Sequence, residues 1–342
     1  MDAPGEWTLR KPGLPGAGGK RTKHKKNRPF MALLITSTGK NLDSWVAALK
    51  EAGPEVDILT LEQDVPHERI LMALAWNHPP GIFRTLPALK CISSMGAGVD
   101  HLLSDPDIPE DVAVVRIVDP MLARDMFEFV LALILGHNRR LPLFAQQQSR
   151  GLWKKKRYRR IRDTRVGVMG TGAIGHHVCM GLSALGFSVS GWGRSASREG
   201  QQPPYRRHAG AGGLASFLRD TDILVCLLPL TPETRGILNR ELLSQLPRGG
   251  VLINLGRGPH VVEQDLIALL DEGHLQAASL DVFDPEPLPE GHPFWKHPGV
   301  QLTPHIASLT DPASVAPQVI ENYRRLRRGE PLLHRVDRRH GY

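Results

Sequence analysis

Apolar residues fall in short blocks separated by polar and Gly/Pro-rich stretches, and the blocks alternate between two periods. MALLITSTG (31–39), VDILTL (56–61), LMALAW (71–76), LKCISSMG (89–96) and AVVRIV (113–118) have the dense apolar character of buried strands. Between the first two, SWVAALKEAG (44–53) has helical spacing and a suitable stop at Gly53. Asp119 and Pro120 then supply an N-cap and a first helical residue for a long helix through MLARDMFEFVLALILGHNRR. A second alternation follows. Its strands are RVGVMG (165–170), FSVSGW (187–192), DILVCLLP (222–229), GGVLINLG (249–256), AASLDVF (277–283) and VQLTPH (300–305). HHVCMGLSALG (176–186), ELLSQL (241–246) and EQDLIALLDEG (263–273) read as helices between them. A last helix spans Asp311 to Gly329, with Pro317 marking either a kink or its start. Strands alternating with helices predict two α/β units, each a doubly wound parallel sheet.

Composition changes this picture little. The chain has 342 residues, 41% hydrophobic and 23% charged, enough for two ordinary globular cores. The longest apolar run, FVLALIL (129–135), is bounded by Glu128 and His137. It is far shorter than the roughly 18–20 residues of a membrane span. Cys91, Cys179 and Cys226 are far apart in apolar segments. They predict buried thiols in a reducing, cytoplasmic setting, with no metal site and no disulfide.

The net charge of +8 sits mostly in residues 1–30, which hold eight Lys/Arg and two acids. This segment is expected to be a disordered basic tail, without the apolar core of a secretory signal. Only Trp7 and Phe30 accompany its charge, so neither a nucleic-acid nor a membrane partner is expected. A second basic run, RGLWKKKRYRRIRDTR (150–165), reads as a solvated linker, the alternative being an electropositive rim that draws in anions.

Chemistry enters at GTGAIG (170–175), a G-x-G-x-x-G between a strand and a helix, the context a dinucleotide requires. Gly170 permits the tight turn, Gly172 lets the backbone approach a pyrophosphate, and Gly175 lets helix and strand pack. The helix N-terminus favours the phosphates. Twenty residues on, where NAD sites carry an acid for the ribose hydroxyls, GWGRSASREG (191–200) places Gly193, Arg194 and Ser195, with Arg198 nearby. The missing carboxylate and the guanidiniums suit the 2′-phosphate of NADPH, which should be preferred over NADH.

Three later strand ends carry polar groups. NLGRG (254–258) sets Arg257 between glycines, DVFDPEP (281–287) sets Glu286 between prolines, and LTPHIAS (302–308) sets His305 after Pro304. Together they suit reduction of a 2-keto acid. Arg257 forks onto the carboxylate and polarises the carbonyl. His305 supplies the proton, and Glu286 holds the imidazole.

The stretch INLGRGPHVVEQDLIALLDEGHLQAASLDVFDPEPLPEGHPFW, with VQLTPHIAS after it, resembles the D-isomer-specific 2-hydroxyacid dehydrogenases. AWNHPP (75–80), HPFWKHPGV (292–300) and VDRRHGY (336–342) resemble the branch that reduces glyoxylate and hydroxypyruvate. The resemblance runs from about residue 70 to the C-terminus and more weakly from 31. It implies a substrate domain of residues 31–120 and 307–342, with a Rossmann cofactor domain, 121–306, inserted into it. It implies that Arg257, Glu286 and His305 are catalytic. Asp281 would contact the nicotinamide carboxamide, while Thr171, Ala173, Ile174 and Pro229 complete the cofactor contacts. Ala97 and Gly98 of SSMGAGVD (93–100) would hold the substrate carboxylate through backbone N–H groups, and Trp76 either lines the pocket or belongs to the core. A homodimer built on the helix from 120 to 138 is implied as well. Gly256, where the family commonly has Ala or another small residue, and Pro317 depart from its pattern. Two rivals stand beside this reading: a 3-phosphoglycerate dehydrogenase-like enzyme, and a non-catalytic, dinucleotide-sensing corepressor of the same fold.

Overall fold

The computed structural model describes residues 31–38, 41–63, 66–194 and 203–341. The expected basic tail lies outside them. The apolar blocks build two separate parallel sheets. The first contains β1 (Ala32–Ser37), β2 (Asp57–Thr60), β3 (Ile70–Trp76), β4 (Cys91–Ser94) and β5 (Ala113–Val115), in the order β2-β1-β3-β4-β5. The second contains β6 (Arg165–Met169), β7 (Ser188–Gly193), β8 (Arg206–Ala209), β9 (Ile223–Cys226), β10 (Gly250–Asn254), β11 (Leu275–Leu280) and β12 (Val300–Leu302). Its order is β12-β11-β10-β9-β6-β7-β8. Both are doubly wound. The strand order reverses between β1 and β3 and between β6 and β9, and such reversals open the crevice where ligands of α/β sheets bind.

Helices α1 (Asp43–Ala52), α2 (Asp100–Leu103), α3 (Pro120–Asn138), α4 (Leu141–Ser149), α5 (Ala173–Ala184), α6 (Gly210–Arg219), α7 (Arg240–Leu243), α8 (Glu263–Asp271) and α9 (Pro312–Arg328) follow in chain order. Asp119 caps α3 as expected, its side chain accepting from Met121 N. Leu122, in the first turn of α3, joins the core under the first sheet, whereas Met126, Val130 and Ile134 join the core under the second. The chain crosses back near α9, whose Val315, Val319 and Ile320 pack with Leu33, Ile35 and Leu49. The two crossings touch. Ser308 Oγ donates to Leu122 O at 2.9 Å, and Ser314 Oγ to an Asp119 carboxylate oxygen at 2.8 Å. Helix α9 begins at Pro312 and runs through Pro317, which excludes a start at 317.

Helices α4 and α6 and strand β8 were not marked by the pattern. After α4 the basic run is exposed and irregular up to a 3-10 turn at Ile161–Asp163, matching the expected solvated linker. Arg139 lies 4.5 Å over the Tyr158 ring, and Arg159 reaches Asp222 at 3.4 Å. Leu152, Trp153 and Tyr158 stand exposed there, Trp153 at 92%. All three cysteines are free and buried, and burial pushes each thiol up to about 12. Among the described residues no helix is long and apolar enough to cross a membrane, and no group of side chains could hold a metal ion.

Candidate active site

The C-terminal ends of both sheets face one cavity of about 1310 Å³. Every expected site residue within the described part lines it: the loop 170–175, Arg194, Pro229, Asp281, Trp76, Ala97, Gly98, Arg257, Glu286 and His305. Ser195 and Arg198 lie outside the described residues.

Arg257 follows β10 by three residues. Its Nε donates to Asp100 Oδ1 at 3.0 Å, and a second guanidinium nitrogen donates to Gly256 O at 2.7 Å. Asp100 opens α2, on the other side of the cavity, so this ion pair joins the two sheets' loops. Burial works against the Asp100 charge, but the Arg257 guanidinium overrides it and holds the carboxyl below its ordinary value. Gly98 makes the room. A Cβ there would collide with the Arg257 guanidinium.

His305 and Glu286 meet directly, with imidazole Nδ1 2.8 Å from Glu286 Oε2. The other carboxylate oxygen accepts the Phe283 N–H at 2.9 Å. Burial raises the Glu286 pKa, yet these hydrogen bonds and the nearby cations bring it below the ordinary glutamate value. His305 has a φ of +54°, a left-handed conformation that costs a non-glycine residue about 1–2 kcal/mol. Asp281 holds this turn. Its carbonyl accepts His305 N at 2.8 Å. Its buried carboxylate accepts Thr303 Oγ1 at 2.6 Å, Ile306 N at 3.0 Å and Ala307 N at 2.9 Å. Three donors converge on this side chain at the turn that carries His305.

At the other end, Gly170 takes a φ of +99° and turns the chain into α5, whose first turn lines the cavity. A Cβ on Gly175 would run into Gly170 O, whereas a Cβ on Gly172 would meet nothing within 4 Å. The loop therefore needs one glycine for packing and leaves open space at another, the cradle a pyrophosphate requires. Gly193 ends β7 with no acid, and Arg194 follows it along the cavity wall. Trp76, at the end of β3, is half-buried. It lines the cavity, and its ring lies 4.6 Å from that of His101.

A profile described as D-isomer specific 2-hydroxyacid dehydrogenase, NAD binding domain, matches residues 131–307. A glyoxylate/hydroxypyruvate reductase A of Escherichia fergusonii is 38% identical over 303 residues, 87% of this chain and 96% of that protein. This chain belongs to the D-isomer-specific 2-hydroxyacid dehydrogenases. Solved relatives share the fold. A member from Xanthobacter autotrophicus Py2, in complex with NADPH and MES, is 41% identical with a TM-score of 0.86 over 91% of this chain and 99% of that one. The NADPH-dependent glyoxylate/hydroxypyruvate reductase of Sinorhizobium meliloti, in complex with NADP and sulfate, is 38% identical with a TM-score of 0.83. It covers 91% of this chain and 100% of that one.

Three cavity-lining or supporting residues escaped the sequence reading. Asp100 stands within the quoted SSMGAGVD, but nothing in the sequence pairs it with a residue 157 positions away. His260 lies three residues past Arg257 in NLGRGPH and is fully buried. Arg207, on β8, lines the cavity with Arg194. Its guanidinium lies 5.6 Å from the Tyr205 ring centroid, and its buried Nε finds no hydrogen-bond partner among the described residues. The Tyr205 hydroxyl meets His176 Nδ1, on α5, at 2.8 Å.

Proposed function

We propose that this chain is a cytoplasmic, NADPH-dependent reductase of glyoxylate and hydroxypyruvate. Residues 31–120 and 307–342 form its substrate unit and 121–306 its cofactor unit. The observation that carries this reading is the convergence of Arg257, the Glu286–His305 pair and the glycine loop on one cavity. Bound NADPH would supply a hydride to the keto carbon. The loop 170–175, Pro229 and the first turn of α5 would hold its pyrophosphate and ribose, and Asp281 its carboxamide. Arg194, Ser195 and Arg198 would hold its 2′-phosphate.

The chain's own residues do the rest. Arg257 binds the substrate carboxylate and polarises the carbonyl, while Asp100 keeps the Nε side of the guanidinium occupied. Ala97 and Gly98 add backbone N–H groups to the carboxylate, and Trp76 bounds the pocket. Glu286 fixes His305 through Nδ1, which leaves Nε2 as the nitrogen that delivers a proton to the developing alkoxide. A homodimer completes the reading. The exposed Leu141, Leu152, Trp153 and Tyr158, just beyond α3, support a contact there more than α3 itself, much of which is packed against α5.

The test is steady-state kinetics with glyoxylate, hydroxypyruvate and related 2-keto acids against both cofactors. Turnover is expected, with NADPH favoured over NADH by at least about tenfold in kcat/KM, or about 1.4 kcal/mol. Equal use of the two cofactors would overturn the NADPH assignment. Dinucleotide binding without turnover of any 2-keto acid would favour the sensing protein instead.

A further inference from the structure

His260 closes the short 3-10 turn Gly258–His260 that follows Arg257, and its side chain is fully buried. Two hydrogen bonds link this residue to Arg257. The backbone N–H of Arg257 donates to imidazole Nδ1 at 3.0 Å, and the backbone N–H of His260 donates back to Arg257 O at 3.2 Å. The far side of the ring, Nε2, lies 3.3 Å from Pro229 O. The tautomer follows by elimination, since a backbone N–H can only donate and a backbone carbonyl can only accept. Nδ1 is therefore the bare acceptor, and Nε2 carries the proton. Burial pushes the ring pKa down to about 4, against the favourable Pro229 contact, so this neutral form is the working one near pH 7. Cys226 Sγ lies 3.8 Å from Nδ1 and closes off the site.

One ring thus bridges the loop after β10, which carries Arg257, and the loop after β9, which carries Pro229. Asn254 completes the support by donating to Arg257 O at 2.9 Å while accepting from Gly256 N at 3.2 Å. The guanidinium itself is held from the opposite side by Asp100. Nothing else described accepts the Arg257 N–H. An apolar side chain at 260 would leave that donor and the Pro229 carbonyl with one partner fewer in a buried place.

We propose that His260 is a positioning residue for the carboxylate clamp: it fixes the backbone of Arg257 and, through it, where the guanidinium meets the substrate. This rests on the reading of Arg257 as the clamp.

The experiment compares His260→Asn with His260→Leu in the full chain, with glyoxylate and NADPH. Asparagine sets a carbonyl oxygen near the place of Nδ1 and can accept the Arg257 N–H, but it cannot reach Pro229. Leucine fills the volume and accepts nothing. His260→Leu is expected to raise KM for glyoxylate and lower kcat, cutting kcat/KM by on the order of ten- to a hundredfold. His260→Asn should stay within about threefold of the unmodified enzyme. Combining His260→Leu with Arg257→Ala should add little to the loss from Arg257→Ala alone, since both act through one group. A leucine variant with unchanged kinetics, an asparagine variant as impaired as the leucine one, or fully additive losses would overturn the role. Should the leucine variant fail to fold, His260→Met poses the same question with a more adaptable side chain. An unmodified chain that does not turn over glyoxylate would instead fail the clamp reading itself.

Discussion

The two ends of the cavity recognise charge in opposite ways. At the proposed catalytic end the polar side chains meet in pairs: Arg257 meets Asp100, and His305 meets Glu286. At the proposed adenosine end the notable feature is an acid that is missing. Gly193 stands at the close of β7, with Arg194 and Arg207 along the same wall. The first arrangement holds side chains in place without a ligand, so on the proposed reading its benefit would fall on the chemical step. On the proposed reading the second would spare a dianionic 2′-phosphate the acid at the close of β7, so its benefit would fall on choosing between NADPH and NADH. Mutations at the two ends should therefore appear in different kinetic constants.

The sharpest way to break this contrast is His305→Gln. Loss of the proposed proton donor should lower kcat by roughly 10²–10⁴ while NADPH affinity survives, as rapid-mixing kinetics and cofactor titration would show. A near-normal kcat would remove His305 from the chemistry. Arg257→Lys comes next. It keeps the charge but loses the planar fork shared between Asp100 and a substrate. A rise in KM for glyoxylate and a fall in kcat, each about tenfold, are expected from initial-rate measurements.

Arg194→Ala should act only at the far end, lowering the NADPH/NADH ratio of kcat/KM by about tenfold and leaving NADH kinetics almost untouched. An equal loss with both cofactors would show that Arg194 contacts what they share. The smallest effect is expected from removing residues 1–30. The described residues, all after Phe30, already supply both ends of the cavity and both cores, so thermal melting and turnover should match those of the full chain. A lost activity would place part of the site in that segment.

The same division governs what could be read from the sequence. Arg257, Glu286 and His305 were legible because each stands just past a strand with a clear apolar signature, and open α/β sheets bind ligands there. The glycine loop was legible for the same reason. Asp100 was not, because an ion pair between two sheets' loops depends on how the sheets meet. His260 carries no signal of its own in the sequence, since only the fold buries it between Arg257 and Pro229. Arg207 was hidden in an unexpected strand, RRHA, a polar edge without the apolar block that marks the others. Helix α6, GAGGLASFLR, carries glycines that read as loop, and it is Phe217 and Leu218 packing into the core that offset them.

The contact between the two crossings, Ser308 to Leu122 and Ser314 to Asp119, moors the chain to itself at the two places where it passes from one core to the other. His305 stands three residues from Ser308, so the turn that carries its imidazole runs straight into that mooring. Asp100 and Arg257 stand on loops of the two different sheets, so their ion pair is a further mooring between the same two parts. A carboxylate ligand that reached that guanidinium would therefore bear on the mooring as well as on the cavity.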